Sequence, residues 1–116
     1  MNAAEVRAGR ARQVRNSIRI DDFGCWIWTG KVSKQGYGMV AGLFAHRLAY
    51  EVFVGPIPSP LVIDHTCHDP DTCVNGDACP HRRCVNPAHM EVVTQRENWL
   101  RGAKGLAYRR SLGLAA

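Results

Sequence analysis

A long connection rich in cysteine and histidine separates two short apolar runs, and it constrains the possible folds more than any other feature. The runs are residues 61–64 and 90–93, and the connection between them spans residues 66–88. Connections of this length are uncommon in compact domains unless something orders them. Thiols and imidazoles can do so by binding zinc. The pattern therefore predicts a small domain that is stabilised by metal.

The length of 116 residues allows one domain with a modest core. We expect no membrane-spanning segment and no signal peptide, and hence a reducing, cytoplasmic setting. In such a compartment five cysteines are better explained as metal ligands than as disulfides, and their odd number fits a disulfide framework poorly. Zinc held by thiolates is the leading interpretation, and disulfides are the alternative.

The net charge of +5 is concentrated at the two ends of the chain. Residues 1–20 are rich in arginine, and the last part of the chain includes Arg96, Arg101 and Lys104. Basic ends around an acidic centre favour a phosphate-rich partner. The alternative is that the basic ends only improve solubility. We predict a basic N-terminal helix or arm over 1–20, a central domain over 21–102 and a basic tail over 103–116.

Hydrophobic spacing predicts a mixed α+β fold. We expect a helix over residues 3–16, a strand over 25–29 that pairs with 37–40 as an N-terminal hairpin, and a second helix over 45–54. Strands over 61–64 and 90–93 follow. Thr94, with Glu97 three residues later, predicts a capped helix that carries Asn98 near its start. Beyond Gly102 we expect helix only in part.

Three soft ligands bracket the two short strands, namely Cys67, Cys84 and His89. A closed tetrahedral zinc site needs a fourth ligand, and Cys25 at the head of the first hairpin is the predicted one. The alternative is that Cys25 is a small buried thiol beside two tryptophans.

A second set of soft side chains lies within or beside the connection: Cys73, Cys79, His68 and His81. They predict a second zinc site or a share of the first. A polar insertion with unpaired thiols is the alternative.

Asp64, His65 and Asn98 offer a different chemistry. A histidine near neutral pKa can take a proton from water, and oxygen donors can hold a hard divalent cation that supports a leaving oxygen. Asp64 and His65 are adjacent at a strand end, so their side chains leave in opposite directions. Asn98 can complete the cation site from the following helix. Each signal alone is weak, but together, beside a metal-ligand framework, they indicate phosphodiester hydrolysis.

These motifs resemble the HNH nucleases, also called His-Me finger or ββα-metal nucleases. The resemblance is to the phage and intron-encoded endonucleases, with a zinc pattern similar to that of His-Cys box homing endonucleases. It extends over most of residues 24–102 and is carried by Gly24-Cys25-Trp26-Ile27-Trp28-Thr29-Gly30, by Gly36-Tyr37-Gly38, by Ala45-His46-Arg47-Leu48-Ala49-Tyr50-Glu51 and, most specifically, by residues 61–102.

The resemblance implies a small zinc-stabilised ββα-metal domain with flanking helices, acting on double-stranded DNA. It implies that His65 is the general base, that Asp64 and Asn98 hold Mg²⁺ or Mn²⁺, and that Cys25, Cys67, Cys84 and His89 hold structural zinc. The implied products are a 5′ phosphate and a 3′ hydroxyl.

Further expectations follow from the same resemblance. Arg47 could contact the scissile phosphate, or could be structural. The hairpin with Lys31 and Lys34 is the expected DNA reader. A double-strand cut would need a homodimer or two sequential nicks. Such a chain would be encoded by a phage or mobile element and act in the host cytoplasm. A non-catalytic, zinc-stabilised DNA-binding module is the main alternative, and a toxin-like nonspecific nuclease is another.

Overall fold

The structure is a computed structural model, and it describes residues 2–69, 73 and 79–113. In chain order its elements are α1 (Ala3–Asn16), β1 (Ile18–Ile20), β2 (Trp26–Trp28), β3 (Met39–Val40), β4 (Leu43–Phe44), α2 (Ala45–Phe53), β5 (Val62–His65), β6 (Met90–Val93), α3 (Gln95–Arg101) and α4 (Ala103–Ser111). Two 3-10 turns, Pro80–Arg83 and Pro87–His89, lie between β5 and β6. The predicted α+β class is confirmed.

The strands of the described residues form three separate antiparallel pairs: β1 with β2, β3 with β4, and β5 with β6. The first pair corrects a prediction. We expected residues 25–29 to pair with 37–40, but Trp26–Trp28 pairs with Ile18–Ile20. The turn between these strands explains the choice, because the Asp21 carboxylate accepts the backbone N–H groups of Phe23 and Cys25, both at 2.9 Å. These hydrogen bonds form a turn that places β1, which is nearer in sequence than residues 37–40, against β2.

The glycines on either side of residues 31–37 let this loop close over the Trp28 indole. A Cβ added at Gly38 would lie 2.7 Å from Cγ and Cδ1 of Trp28, and one at Gly30 would lie 2.7 Å from its Nε1. Met39–Val40 then pairs with Leu43–Phe44 instead of with β2. Glycine is needed at these positions because a side chain would push the loop off the ring.

The main core lies between the two helices α1 and α2 and the β5–β6 pair. Its buried members are Val14, Trp28, Ala45, Leu48, Ala49, Ile63, Val85 and Met90. Val14 is fully buried, so the predicted N-terminal arm packs directly on the rest of the chain. Asn2 caps this arm helix by accepting the N–H of Glu5 at 2.9 Å.

The β5–β6–α3 unit forms almost as predicted. In it Asp64 pairs with Glu91 and His65 with Met90, and the Thr94 hydroxyl caps α3 by accepting the N–H of Glu97 at 3.0 Å. β5 begins and ends one residue later than expected, at Val62 and His65. In the tail, α4 runs from Ala103 to Ser111 and packs against α3.

None of the helices in the described part of the chain is both long enough and apolar enough to cross a membrane.

Replacing Gly38 by alanine should destabilise the protein by about 1–3 kcal/mol, because the new methyl group would overlap the Trp28 ring. Urea unfolding followed by tryptophan fluorescence measures the change. The control is Gly9→Ala at a half-buried position of α1, where the nearest atom to the added Cβ is 3.8 Å away. That change should stabilise by about 0.5–1 kcal/mol, since alanine favours helix. A Gly38→Ala protein as stable as the wild type would contradict the packing described.

Candidate active site and metal clusters

A cavity of about 520 Å³ brings together the three residues that the sequence predicted as a hydrolytic set. Asp64 and His65 reach it from the end of β5, and Asn98 reaches it from α3. The remaining wall includes Tyr37, His68, Arg82 and Arg101. An imidazole, a carboxylate and an amide therefore share one solvent-accessible space with two arginines.

His65 is held by one directional hydrogen bond. Its ring is 8% exposed, and Nε2 lies 3.0 Å from the backbone carbonyl oxygen of Cys84. A carbonyl only accepts, so Nε2 carries the proton and Nδ1 has the free lone pair in the neutral ring. Burial lowers the pKa of His65 below its ordinary value, against the opposing effects of Cys84 and Asp64. The ring is thus kept neutral, with Nδ1 able to accept a proton.

Asp64 is paired with Arg101 in this structure. The guanidinium Nη1 donates to Asp64 Oδ2 at 3.0 Å, while the other carboxylate oxygen accepts no hydrogen bond from the described residues. Arg101 also donates to Glu91 at 2.9 and 3.3 Å and to Glu97 at 2.9 Å. These bonds lower the pKa of Glu91 and raise that of Arg101. The Arg101 guanidinium thus lies among three carboxylates, and DNA binding by Arg101 stays a prediction.

The first metal-binding group, cluster one, consists of Cys25, Cys67, Cys84 and His89. Their ligand atoms all lie within 4.8 Å of one another. His89 Nδ1 lies 3.4 Å from Cys25 Sγ and 3.7 Å from Cys84 Sγ. In a tetrahedral zinc site the ligand atoms are about 3.4–3.8 Å apart, given zinc–sulfur and zinc–nitrogen bonds of about 2.3 and 2.0 Å. Cluster one can therefore hold zinc, with the four residues that the sequence suggested.

The protonation of cluster one suits a cation. A hydrogen bond from Cys67, together with backbone N–H groups, lowers the pKa of Cys84 to about 5, although burial opposes this. Burial and the charge on Cys84 raise the pKa of Cys25 to about 12. The pKa of Cys67 is raised by its hydrogen bond to Cys84 and by burial. A bound cation would favour the thiolate form of these ligands and so offset the raised pKa values of Cys25 and Cys67.

A second group, cluster two, consists of His68, Cys73, Cys79 and His81, and its ligand atoms also lie within 4.8 Å of one another. It lies in the connection between β5 and β6, beside the cavity that His68 and Cys73 help to line. The five cysteines are all free of disulfides. Two Cys/His groups that could hold zinc are therefore present.

The other predicted site residues lie outside the cavity wall. Arg47 lines a separate cavity of about 200 Å³ with Arg10 and Glu51. Lys31 and Lys34 are exposed on the loop over Trp28, and Arg96 and Lys104 are exposed on α3 and α4. The phosphate role of Arg47 and the DNA roles of these lysines and Arg96 remain predictions.

Three residues near the cavity were absent from the predicted site. Tyr37 stacks over His65 with ring centroids 6.1 Å apart, and the Arg82 guanidinium lies 5.3 Å from the centre of the Tyr37 ring. His46 lies 4.8 Å from His65, centroid to centroid. The sequence carried one usable signal, since Arg82 stands between His81 and Cys84, two residues already suspected as metal ligands.

His46 is a buried imidazole without a polar partner for Nδ1 among the described residues. Its ring packs against Tyr37, Phe44 and His65. Burial, followed by the charges of His65 and Arg47, lowers the pKa of His46 to about 3. The ring is therefore neutral in the folded protein throughout the physiological range.

Comparison with known proteins identifies a related family and two relatives. Residues 43–75 match the family described as HNH endonuclease, a segment that includes α2, β5 and the cavity residues Asp64 and His65. The match confirms the resemblance to HNH endonucleases that was predicted from the sequence.

Two curated relatives come from Escherichia phage T7. Protein 7.7 is 35% identical over 78 residues, which cover 64% of this chain and 51% of that protein. Protein 2.8 is 25% identical over 92 residues, which cover 74% of this chain and 54% of that protein. The chain thus spans about half the length of the curated relatives it matches. No solved structure matches it significantly.

Cys67→Ser should remove zinc from cluster one and lower the free energy of unfolding by more than about 3 kcal/mol, because metal-binding energy is folding energy at such sites. Metal analysis and urea unfolding measure the two effects. The neighbouring exposed residue offers a control, since Thr66→Ser should change neither quantity. Unchanged zinc content and stability in Cys67→Ser would show that Cys67 is not a ligand.

In His46→Phe, the free energy of unfolding should decrease less steeply as the pH falls below neutral. The pKa of His46 is lower folded than unfolded, so its contribution is complete above the unfolded value of 6.5 and is lost as pH falls towards 3. At pH 5.5 the wild type should lose about 1.4 kcal/mol through this residue relative to pH 7.5, a loss that the variant lacks. Urea midpoints at both pH values test this, and equal losses in both proteins would contradict it.

Proposed function

We propose that this protein is a metal-dependent endonuclease that hydrolyses phosphodiester bonds in double-stranded DNA. One observation carries the proposal. Asp64, His65 and Asn98, from a strand end and the following helix, line one cavity in which the free nitrogen of His65 is fixed by a backbone hydrogen bond. The match of residues 43–75 to HNH endonucleases supports the same activity.

His65 acts as the general base. With Nε2–H committed to the Cys84 carbonyl, Nδ1 takes a proton from water, and the oxygen attacks phosphorus. The bond between phosphorus and the 3′ oxygen breaks opposite the incoming oxygen. The departing 3′ oxygen takes a proton from solvent water, so the products are a 5′ phosphate and a 3′ hydroxyl, and His65 later returns its proton to solvent. The lowered pKa of His65 favours this role, since the ring is already unprotonated near neutral pH.

Asp64 and Asn98 would hold the catalytic cation, Mg²⁺ or Mn²⁺. Their carboxylate and amide oxygens are the ligands that such hard cations prefer, and both line the cavity with His65. When bound, the cation supplies charge stabilisation to the phosphate and the departing oxygen. Arg101 already occupies Asp64 Oδ2, so the second carboxylate oxygen is the natural ligand.

The basic surface would position the DNA. Exposed Arg96 lies on α3 and exposed Lys104 lies on α4. Lys31 and Lys34 lie on the loop over Trp28. Contacts from such residues to phosphates orient a duplex without reading its sequence. One chain contributes one such cavity, so cutting both strands requires a homodimer or two successive nicks. The phage relatives favour action in the cytoplasm of an infected host.

His65→Ala and Asn98→Ala should each reduce plasmid cutting by about a hundredfold or more, since each removes a group that acts in the chemical step. The assay follows nicking and linearisation of supercoiled DNA in Mg²⁺ or Mn²⁺. Zinc content and unfolding midpoints show whether the variants remain folded. A matched control is Asn16→Ala at the exposed end of α1, which should cut normally.

Wild-type cutting retained in His65→Ala would exclude the proposed base. A wild-type protein that binds DNA but fails to cut it with either cation would favour the alternative, a zinc-stabilised DNA-binding module without catalysis.

A further inference from the structure

Cluster two has the geometry of a second metal site rather than of a hydrogen-bonded network. His81 Nδ1 lies 3.1 Å from Cys73 Sγ and 3.6 Å from Cys79 Sγ, while His68 Nδ1 lies 3.3 Å from Cys79 Sγ. Neighbouring ligands on a tetrahedral zinc are about 3.4–3.8 Å apart. The observed distances are close to those values, and each of them joins a nitrogen atom to a sulfur atom.

Hydrogen bonds satisfy this arrangement less completely than a cation does. One ring nitrogen forms only one linear hydrogen bond, yet His81 Nδ1 approaches two sulfur atoms at once. A shared cation between the atoms satisfies all of these contacts together. His89 in cluster one also approaches two sulfur atoms. Cys79, which contacts both imidazoles of cluster two, is only 3% exposed.

The position of cluster two connects it to the cavity. Cys79 and His81 belong to or border the 3-10 turn Pro80–Arg83, and this turn carries Arg82. The Arg82 side chain lines the cavity, stacks on Tyr37 and donates from Nη1 to the Gln35 carbonyl at 2.8 Å. Fixing the turn therefore fixes a guanidinium in the cavity wall. A guanidinium suits phosphate binding because its planar donors match phosphate oxygens.

We propose that His68, Cys73, Cys79 and His81 bind a second zinc-class ion, and that this ion holds Arg82 in the cavity as a phosphate contact. The metal site is independent of the activity proposed above, whereas the role of Arg82 rests on that activity. Two thiolates and two imidazoles favour zinc over Mg²⁺, so the ion is distinct from the catalytic cation.

Metal stoichiometry tests the site directly. The wild-type protein, purified with zinc and dialysed, should hold two equivalents by elemental analysis. After denaturation in chelator without reductant it should present five reactive thiols. The double variant Cys73→Ser/His68→Asn should hold one equivalent and keep its cluster-one zinc. Three results would each overturn the site. They are a wild type that holds one equivalent of zinc, a double variant that holds two, and a wild type with only three reactive thiols, which would reveal a disulfide.

Cobalt substitution gives a second readout that does not depend on the double variant being stable. Cluster one offers three sulfurs and one nitrogen, and cluster two offers two of each. The wild type should therefore bind two equivalents of Co²⁺ with two overlapping tetrahedral spectra. Saturation at one equivalent with a single spectrum would contradict the proposal.

Arg82→Gln tests the connection to the cavity. This variant should keep both zinc equivalents, cut DNA at least tenfold more slowly, and lower the slope of log affinity against log salt by about one, as expected for one lost phosphate contact. Arg83→Gln is the matched control, because Arg83 is adjacent but does not line the cavity. Equal effects of the two changes would overturn the role of Arg82. Two zinc equivalents in a protein that never cuts DNA would leave the metal site standing and reject only the proposed function.

Discussion

The convergence of Cys25, Cys67, Cys84 and His89 is the contact on which the rest of the structure depends. These residues come from the turn before β2, the end of β5 and the segment that leads into β6. Cys84 has a second role, because its backbone carbonyl orients the His65 ring. A group that could hold a soft metal and the imidazole that faces the cavity are therefore joined through one residue.

This arrangement suits a chain whose regular structure is limited. Each described sheet has only two strands, and isolated pairs of this kind are marginally stable in water. The apolar core lies mainly between α1, α2 and one face of β5 and β6. Of the described residues in the long connection after β5, Val85 belongs to that core, whereas those of cluster two contact each other through sulfur and nitrogen. Metal ligation can supply there what apolar burial supplies elsewhere.

The local elements were predictable because their signals are local. The capped helix after Thr94, the strand Met90–Val93 and the helix α1 follow from spacing and caps. The pairing of β2 was mispredicted, since it depends on the turn at Asp21 and on glycines that admit the Trp28 ring. The ligand groups were foreseeable from residue type. The bonds from Arg101 to three carboxylates could not be foreseen, because they join residues from β5, β6 and α3.

The alternation of β5 makes the register of its pairing with β6 critical for chemistry. Neighbours on a strand face opposite sides, so a shift of one residue would exchange the carboxylate and the imidazole between the two faces. A four-residue strand holds its alignment weakly by itself. Here two sets of contacts hold the alignment. Arg101 bonds to both Asp64 and Glu91, and cluster one lies just beyond His65. Lengthening the connection between β5 and β6 should therefore be tolerated far better than inserting a single residue within Val62–His65.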